Sequence, residues 1–268
     1  MLEEEMKTIE LESWEAYCSA IDDLQHKYKN VLVLFRGQAT SSWQLRTTLE
    51  RFSKTTWTIR KYCDLVVDCI SEVGSPEHYP AGIPSLSDIK RELDEKFSQV
   101  LVHIPDSISF YWDYLRHYGF PSPLLDWTRC PYIAAFFAFC ESVGAKRVAI
   151  FAFIDSINNE KHGWLRKPQI TLKWLNVHQH VRHTRQQSCY TIATKGKGND
   201  HQFVRHEHVF QESEIDQDIL RKFVIPSTES MKALKYLDQK GINYYSLRDD
   251  QEAHLKTLAF RKIKLKGL

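Results

Sequence analysis

The run Leu115-Arg116-His117-Tyr118-Gly119-Phe120-Pro121-Ser122-Pro123-Leu124-Leu125-Asp126-Trp127-Thr128, continued at Pro131-Tyr132-Ile133-Ala134-Ala135-Phe136-Phe137-Ala138, carries its own punctuation. Ser107 to Tyr118 has aromatic residues at helical spacing. Gly119 suits the left-handed residue after a helix end, and Pro121 and Pro123 block continuation. The chain then turns into the short segment Leu124 to Thr128. Pro131 stands where a helix begins, and Tyr132 to Cys140 has almost no polar face, which predicts a buried helix.

Upstream, Asn30 to Phe35 is a β-branched and aromatic run without polar alternation, as in a strand covered on both faces, and it ends at Arg36-Gly37-Gln38. Leu11 to Lys29 reads as an amphipathic helix, while Thr47 to Val73 and Ser85 to Val102 read as helices split by Gly74-Ser75-Pro76 and Pro80 to Pro84. Downstream, Val148 to Ile154 is a strand. Asn158 to His208 is polar and histidine-rich, with strand character only at Gln169 to Leu175 and Ser188 to Thr194, and is otherwise expected to be loops. The remainder predicts a strand Leu220 to Ile225, a helix from Ser227 to Gly241, a short strand Asn243 to Leu247 and a final helix from Asp249. The expectation is an α+β single domain with a mixed or antiparallel sheet core. An N-terminal helix occupies residues 1–29, the main domain 30–260 with a helical insert at 47–103, and a basic tail 261–268.

At 268 residues the chain can bury a sizeable core. Its formal charge of +2, with 26% charged residues, excludes a bulk polycation but leaves room for a local basic patch. No apolar run approaches the roughly 20 residues that cross a bilayer, and Met1 to Thr8 is acidic rather than a basic leader, so a cytoplasmic protein without a membrane partner is expected. The six cysteines form no CxxC pair, which fits a reducing compartment. His178, His180, His183, His206 and His208 lack an acidic or cysteine partner at zinc spacing, so no metal is expected.

Phe35-Arg36-Gly37-Gln38 with Ser42-Trp43-Gln44-Leu45, and the Leu115 to Ala138 block, resemble the opening and central motifs of the FRG domain family. Arg182 with Gln186-Gln187-Ser188-Cys189-Tyr190-Thr191, and Lys222 to Pro226 with Gly241-Ile242, are similar to its later elements, so the resemblance runs from about Asn30 to Phe260. It implies a bacterial or phage type of protein with a link to anti-phage defence or toxin action.

The order of these motifs is also similar to that of ADP-ribosyltransferases. That likeness implies an ADP-ribosyltransferase-like core that takes NAD as substrate and modifies a macromolecular acceptor, nucleic acid or protein. Arg36, with Gly37 and Gln38, would hold the pyrophosphate or ribose, since a guanidinium grips phosphate oxygens in a planar, bidentate way. Asp126 and Thr128 would hydrogen-bond the nicotinamide ribose, and Trp127 or Tyr118 would stack on the nicotinamide. The oxocarbenium-like ribose needs a stabilising group, supplied by Glu214 of Glu212-Ser213-Glu214 or by Gln186, with His117 as general base. Each residue also has a plainer reading. Arg36 and Asp126 could form a buried ion pair that locks two motifs together, Trp127 could be core, and His117 could cap the preceding helix.

The competing class is a non-catalytic or nuclease-type nucleic-acid-binding module. Arg182, Arg185, Lys195 and Lys197, with the tail Arg261, Lys262, Lys264 and Lys266, would then face phosphates, with Trp164, Trp174 and Tyr190 for base stacking. The sequence has no Walker loop, no GxGxxG and no paired-acid metal motif.

Overall fold

The computed structural model describes residues 6–73, 85–97, 106–142, 144–155, 167–173, 181–198, 200–212 and 218–267. The strands are β1 (Met6–Glu10), β2 (Val33–Gln38), β3 (Leu125–Thr128), β4 (Arg147–Ile154), β5 (Gln169–Lys173), β6 (Ser188–Lys197), β7 (Asp200–Phe203) and β8 (Ile219–Pro226). They form one sheet in the order β1-β8-β4-β2-β3-β6-β5, with β7 also paired to β6. Among the described residues only β1 and β8 run parallel; the other pairings are antiparallel, so the sheet is mixed and mostly antiparallel.

The helices are α1 (Trp14–Lys27), α2 (Thr48–Phe52), α3 (Ile59–Val73), α4 (Leu86–Phe97), α5 (Asp106–His117), α6 (Pro131–Cys140), α7 (Val181–Arg185), α8 (His206–Glu212), α9 (Ser230–Gln239), α10 (Tyr244–Arg248) and α11 (Gln251–Lys262). The two-residue alternation of the strands sorts their side chains. Phe35, Ile150, Ala152 and Phe223 pack under α1, α6 and α9. Leu34, Trp127, Phe151, Phe153 and Leu220 form the core on the other face with Val209 and Phe210 of α8. Tyr190, Ile192 and Leu124 lie beneath the inserted helices α3, α4 and α5. Two helical groups thus sit side by side over the sheet, and Asp126 lies in the seam between them.

Several expectations need correction. Asn243 to Leu247 is not a strand but α10, because the Asn243 side chain accepts from the Ser246 N–H while the Asn243 N–H donates to the Ser246 hydroxyl. That reciprocal cap satisfies groups a strand would have left to a neighbour. The stretch expected to be loops holds α7, β7 and α8. Thr47 to Val73 is two helices, the first started by a capping box between Thr47 and Glu50. The acidic N-terminal segment supplies β1, an exposed strand zipped to β8 from Met6↔Leu220 to Glu10↔Val224.

Candidate functional site

The ladder between β2 and β3 has one residue pair, Phe35↔Thr128, whereas β2 pairs with β4 from Val33↔Ile154 to Gln38↔Ala149. Beyond Phe35 the first two strands part. Arg36 spans the gap: its Nη1 donates to the Asp126 carbonyl at 2.8 Å and lies 3.8 Å from Asp126 Oδ2. Gly37 is required for a different reason. A Cβ there would run into the Ala134 carbonyl and sit 2.7 Å from Ala138 N, so α6 lies directly on the β2 backbone.

Asp126 is also bound by Arg116 of α5, whose guanidinium lies over the Tyr190 ring at 4.5 Å. Gly119, with φ of 88°, ends α5: Phe120 N–H donates to the Leu115 carbonyl and Gly119 N–H to that of Arg116. This turn holds Arg116 toward the seam. The two arginine side chains are 17% and 13% exposed, but the Asp126 side chain is 47% exposed. Arg36 and Asp126 do pair across the two motifs, but not as the buried ion pair expected, since the Asp126 carboxylate faces solvent.

That carboxylate lines a cavity of about 710 Å³ in the β2–β3 gap. Arg36, Arg46, Arg51, Trp43 and Glu141 share its wall. Burial, with Arg51 and Arg116 nearby, pushes the Arg36 guanidinium down to about 10, and its Nε has no hydrogen-bond partner among the described residues. Arg46 is held by the Gln44 side chain, whereas the guanidinium of Arg51, at the end of α2, makes no hydrogen bond or ion pair among the described residues. The Thr48 hydroxyl donates to the Ser122 carbonyl and accepts from the Ser122 N–H, which fixes α2, and with it Arg51, against the turn before β3. Trp43 is 55% exposed. Cations, a flat aromatic face and a carboxylate thus meet in one cleft of ligand size.

A smaller cavity of about 290 Å³ adjoins it, sharing Asp126, Phe137, Glu141, Gln186 and Ser188, and reaching Arg116, Arg182, Arg248 and His117. A third, of about 480 Å³, lies behind α6 among α9, α10 and α11.

The structure gathers Arg36, Gly37, Gln38, Asp126, Trp127, Thr128 and Gln186 around the larger cavity, but not in the roles expected of all of them. Trp127 is buried against Phe153, and its Nε1–H donates to Thr191 Oγ1, so its ring is core and unavailable for stacking. Tyr118 is exposed, packs on Tyr114 and does not line the larger cavity. The Thr128 hydroxyl is used locally, donating to the Gln186 carbonyl and accepting from Cys130 N–H. Gln38 is buried, its amide donating to the Gln44 carbonyl. Gln186 donates its amide to the Leu247 carbonyl, which ties the wall to α10. His117 lines the smaller cavity. Glu214, His178, His180, Trp164 and Trp174 lie outside the described residues.

The expected nucleic-acid face is not one patch. Arg182 is paired with Asp250 at 2.7 Å and Arg185 with Asp249 at 2.9 Å. Lys195 and Lys197 stand exposed at the far end of β6, roughly 23 to 30 Å from the Ser188 end at the usual strand rise. Arg261 is held by Asp238 through two 2.8 Å hydrogen bonds. The sequence reading missed Trp43, Arg46, Arg51, Arg116 and Glu141 as site residues. Trp43 and Arg116 stand inside the quoted motifs, and an exposed-type tryptophan next to Phe35-Arg36-Gly37 was the available signal.

Fold and site together define an α+β protein whose sheet opens beside a cationic, aromatic cleft. Residues 32–147 match the family model of the FRG domain, which supports the family resemblance over that stretch. The matched span includes Arg36, Trp43, Arg46, Arg51, Arg116, Asp126 and Glu141 and stops short of Arg182, Gln186 and Arg248. No curated protein and no solved structure matches the chain. No helix among the described residues is long and apolar enough to cross a membrane.

Proposed function

We propose that the protein is an NAD-dependent ADP-ribosyltransferase-like enzyme whose donor site is the cavity between β2 and β3. The observation that supports this reading is the convergence of Arg36, Arg46 and Arg51 with the exposed Trp43 around the half-exposed carboxylate of Asp126. Three guanidinium groups call for an anion with several oxygens, which a pyrophosphate supplies. Trp43 offers a face for a heteroaromatic ring, and a volume of about 710 Å³ falls in the range of nucleotide-sized ligands.

In this reading Asp126, ion-paired with Arg36 and Arg116, stabilises the positive charge that develops on the ribose as the bond from C1′ to the nicotinamide nitrogen breaks. The bonding electrons leave with nicotinamide. A nucleophile of the acceptor forms the new bond to C1′, and its proton passes to the carboxylate of Glu141, which lines both cavities. Gln186 positions the wall rather than reacting.

Incubation of the purified protein with labelled NAD and cell lysate tests the proposal. Nicotinamide release and label transfer are expected from the wild type, and loss of both is expected in folded Asp126→Asn and Arg51→Ala variants. A protein that neither binds nor consumes NAD, with or without lysate, overturns it.

A further inference from the structure

We infer that the smaller cavity, beside the shared wall of Asp126, Glu141 and Gln186, is the acceptor site and that it takes single-stranded nucleic acid. The inference rests on the larger cavity being the donor site. The smaller one has room for one nucleotide base or side chain rather than a folded partner, at about 290 Å³. Three arginines reach it, but they are not equivalent. Arg116 is committed to Asp126, and Arg182 to Asp250 and the Arg248 carbonyl. The Arg248 guanidinium, at the end of α10, makes no hydrogen bond or ion pair among the described residues. Asp250 is engaged by Arg182 and the Ala253 N–H and Asp249 by Arg185; the Arg248 charge helps hold the Asp250 and Glu252 carboxyls below their ordinary values, and Glu141 shares the cavity wall without an ion pair to Arg248 among the described residues.

With three arginines against the carboxylates of Asp126 and Glu141, such a chamber favours an acceptor bearing phosphates or carboxylates over a lysine or arginine. The choice between those two comes from the rim. His117 lines the cavity, and the next residue, Tyr118, is 78% exposed with its ring tilted against Tyr114 at 4.9 Å. Exposed paired rings that follow the cavity-lining His117 in the chain, with an Arg248 guanidinium free of ion pairs in that cavity, suit a base stacked next to a phosphate, and offer an acidic peptide little. Tyr118 is thereby placed at the acceptor and not on the nicotinamide.

Binding of a fluorescent oligothymidylate and of an oligouridylate to the full chain, measured by anisotropy without NAD, tests this independently of any transfer reaction. Arg248→Glu is expected to weaken binding about tenfold or more and to shallow the salt dependence by roughly one phosphate contact. Tyr118→Ala is expected to weaken it about tenfold with the salt slope kept. Arg248→Gln, which keeps the hydrogen-bonding shape at α10, is expected to lie between wild type and Arg248→Glu, and melting curves confirm that all three fold. Absence of wild-type binding, indifference to Arg248 and Tyr118, or equal binding of a polyglutamate peptide that competes with the oligonucleotides would overturn the inference. Failure of the donor reading registers separately, as absent nicotinamide release with oligonucleotide binding intact.

Discussion

The seam between β4 and β8 and the seam between β2 and β3 lie in the same sheet and are built in opposite ways. The first is paired without a break from Arg147↔Pro226 to Ile154↔Ile219, and residues 148–154 of β4 are all buried. The second has a single pair, then a gap held by a side chain. Backbone hydrogen bonds hold the first seam and charge holds the second. A ladder satisfies its own polar groups, whereas a parted seam exposes them and requires arginine, aspartate and a ligand-sized space. The contrast teaches that this sheet opens a ligand-sized space where its pairing fails.

The contrast can be broken most directly at Gly37, where β2 is still zipped to β4 but α6 rests on the other side. Gly37→Ala is expected to cost about 3 kcal/mol or more, since a clash with helix backbone cannot be relieved by a rotamer change. Urea denaturation checks this; a variant as stable as wild type would show that α6 can lift from the sheet. Asp126→Ala comes next. It strips both arginines of their shared partner, and because the carboxylate is half exposed the loss is expected to be about 1–3 kcal/mol, together with the abolition of NAD turnover.

His206 sharpens the comparison by pH. Its Nε2 meets Thr191 Oγ1 at 2.8 Å beneath the gap. Burial, with Arg36 nearby, pushes its imidazole down to about 3 from an ordinary 6.5. The unfolded chain therefore takes up a proton that the folded chain refuses. Stability is full above about pH 6.5 and falls as the pH drops toward 3, by at most about 1.4 kcal/mol per pH unit. His206→Gln is expected to flatten the pH 5–7 part of a melting-temperature profile relative to wild type. An unchanged slope would place the proton elsewhere. The smallest effect on stability is expected at Trp43, where an exposed ring contributes less than about 0.5 kcal/mol to folding. Trp43→Ala should nevertheless weaken nucleotide binding about tenfold by calorimetry, as loss of a stacking face does.

Much of the fold was legible because periodicity and punctuation agree where burial is complete. The strand ahead of Arg36, the buried α6 and the stop at Gly119 follow from runs with no polar compromise. The failures fall where one of those signals is missing. β1 is exposed at nearly every position, so it shows no hydrophobic pattern and exists by virtue of its ladder with β8. Tyr244 to Arg248 is too short for periodicity to tell helix from strand, and the deciding contacts are side-chain caps. At the site, Arg36 and Asp126 were visible as a pair of motifs. Arg51, Arg116 and Glu141 come from three separate helices or helix ends, and no spacing along the chain announces that they converge. Trp127 misled because tryptophan in a motif looks the same whether its ring fills the core or faces a ligand.

α6 forms a party wall. Ala134 and Phe137 face the larger cavity, Phe136 and Phe137 the smaller, and Phe136 and Phe139 the third chamber behind. Contact with Gly37 keeps this helix from moving toward the sheet, so the side chains that the chambers share are its phenylalanine rings. Rings shared between two chambers cannot satisfy both independently. A ring turned by an occupant of one chamber would reshape the next, and any such coupling would act equally in both directions.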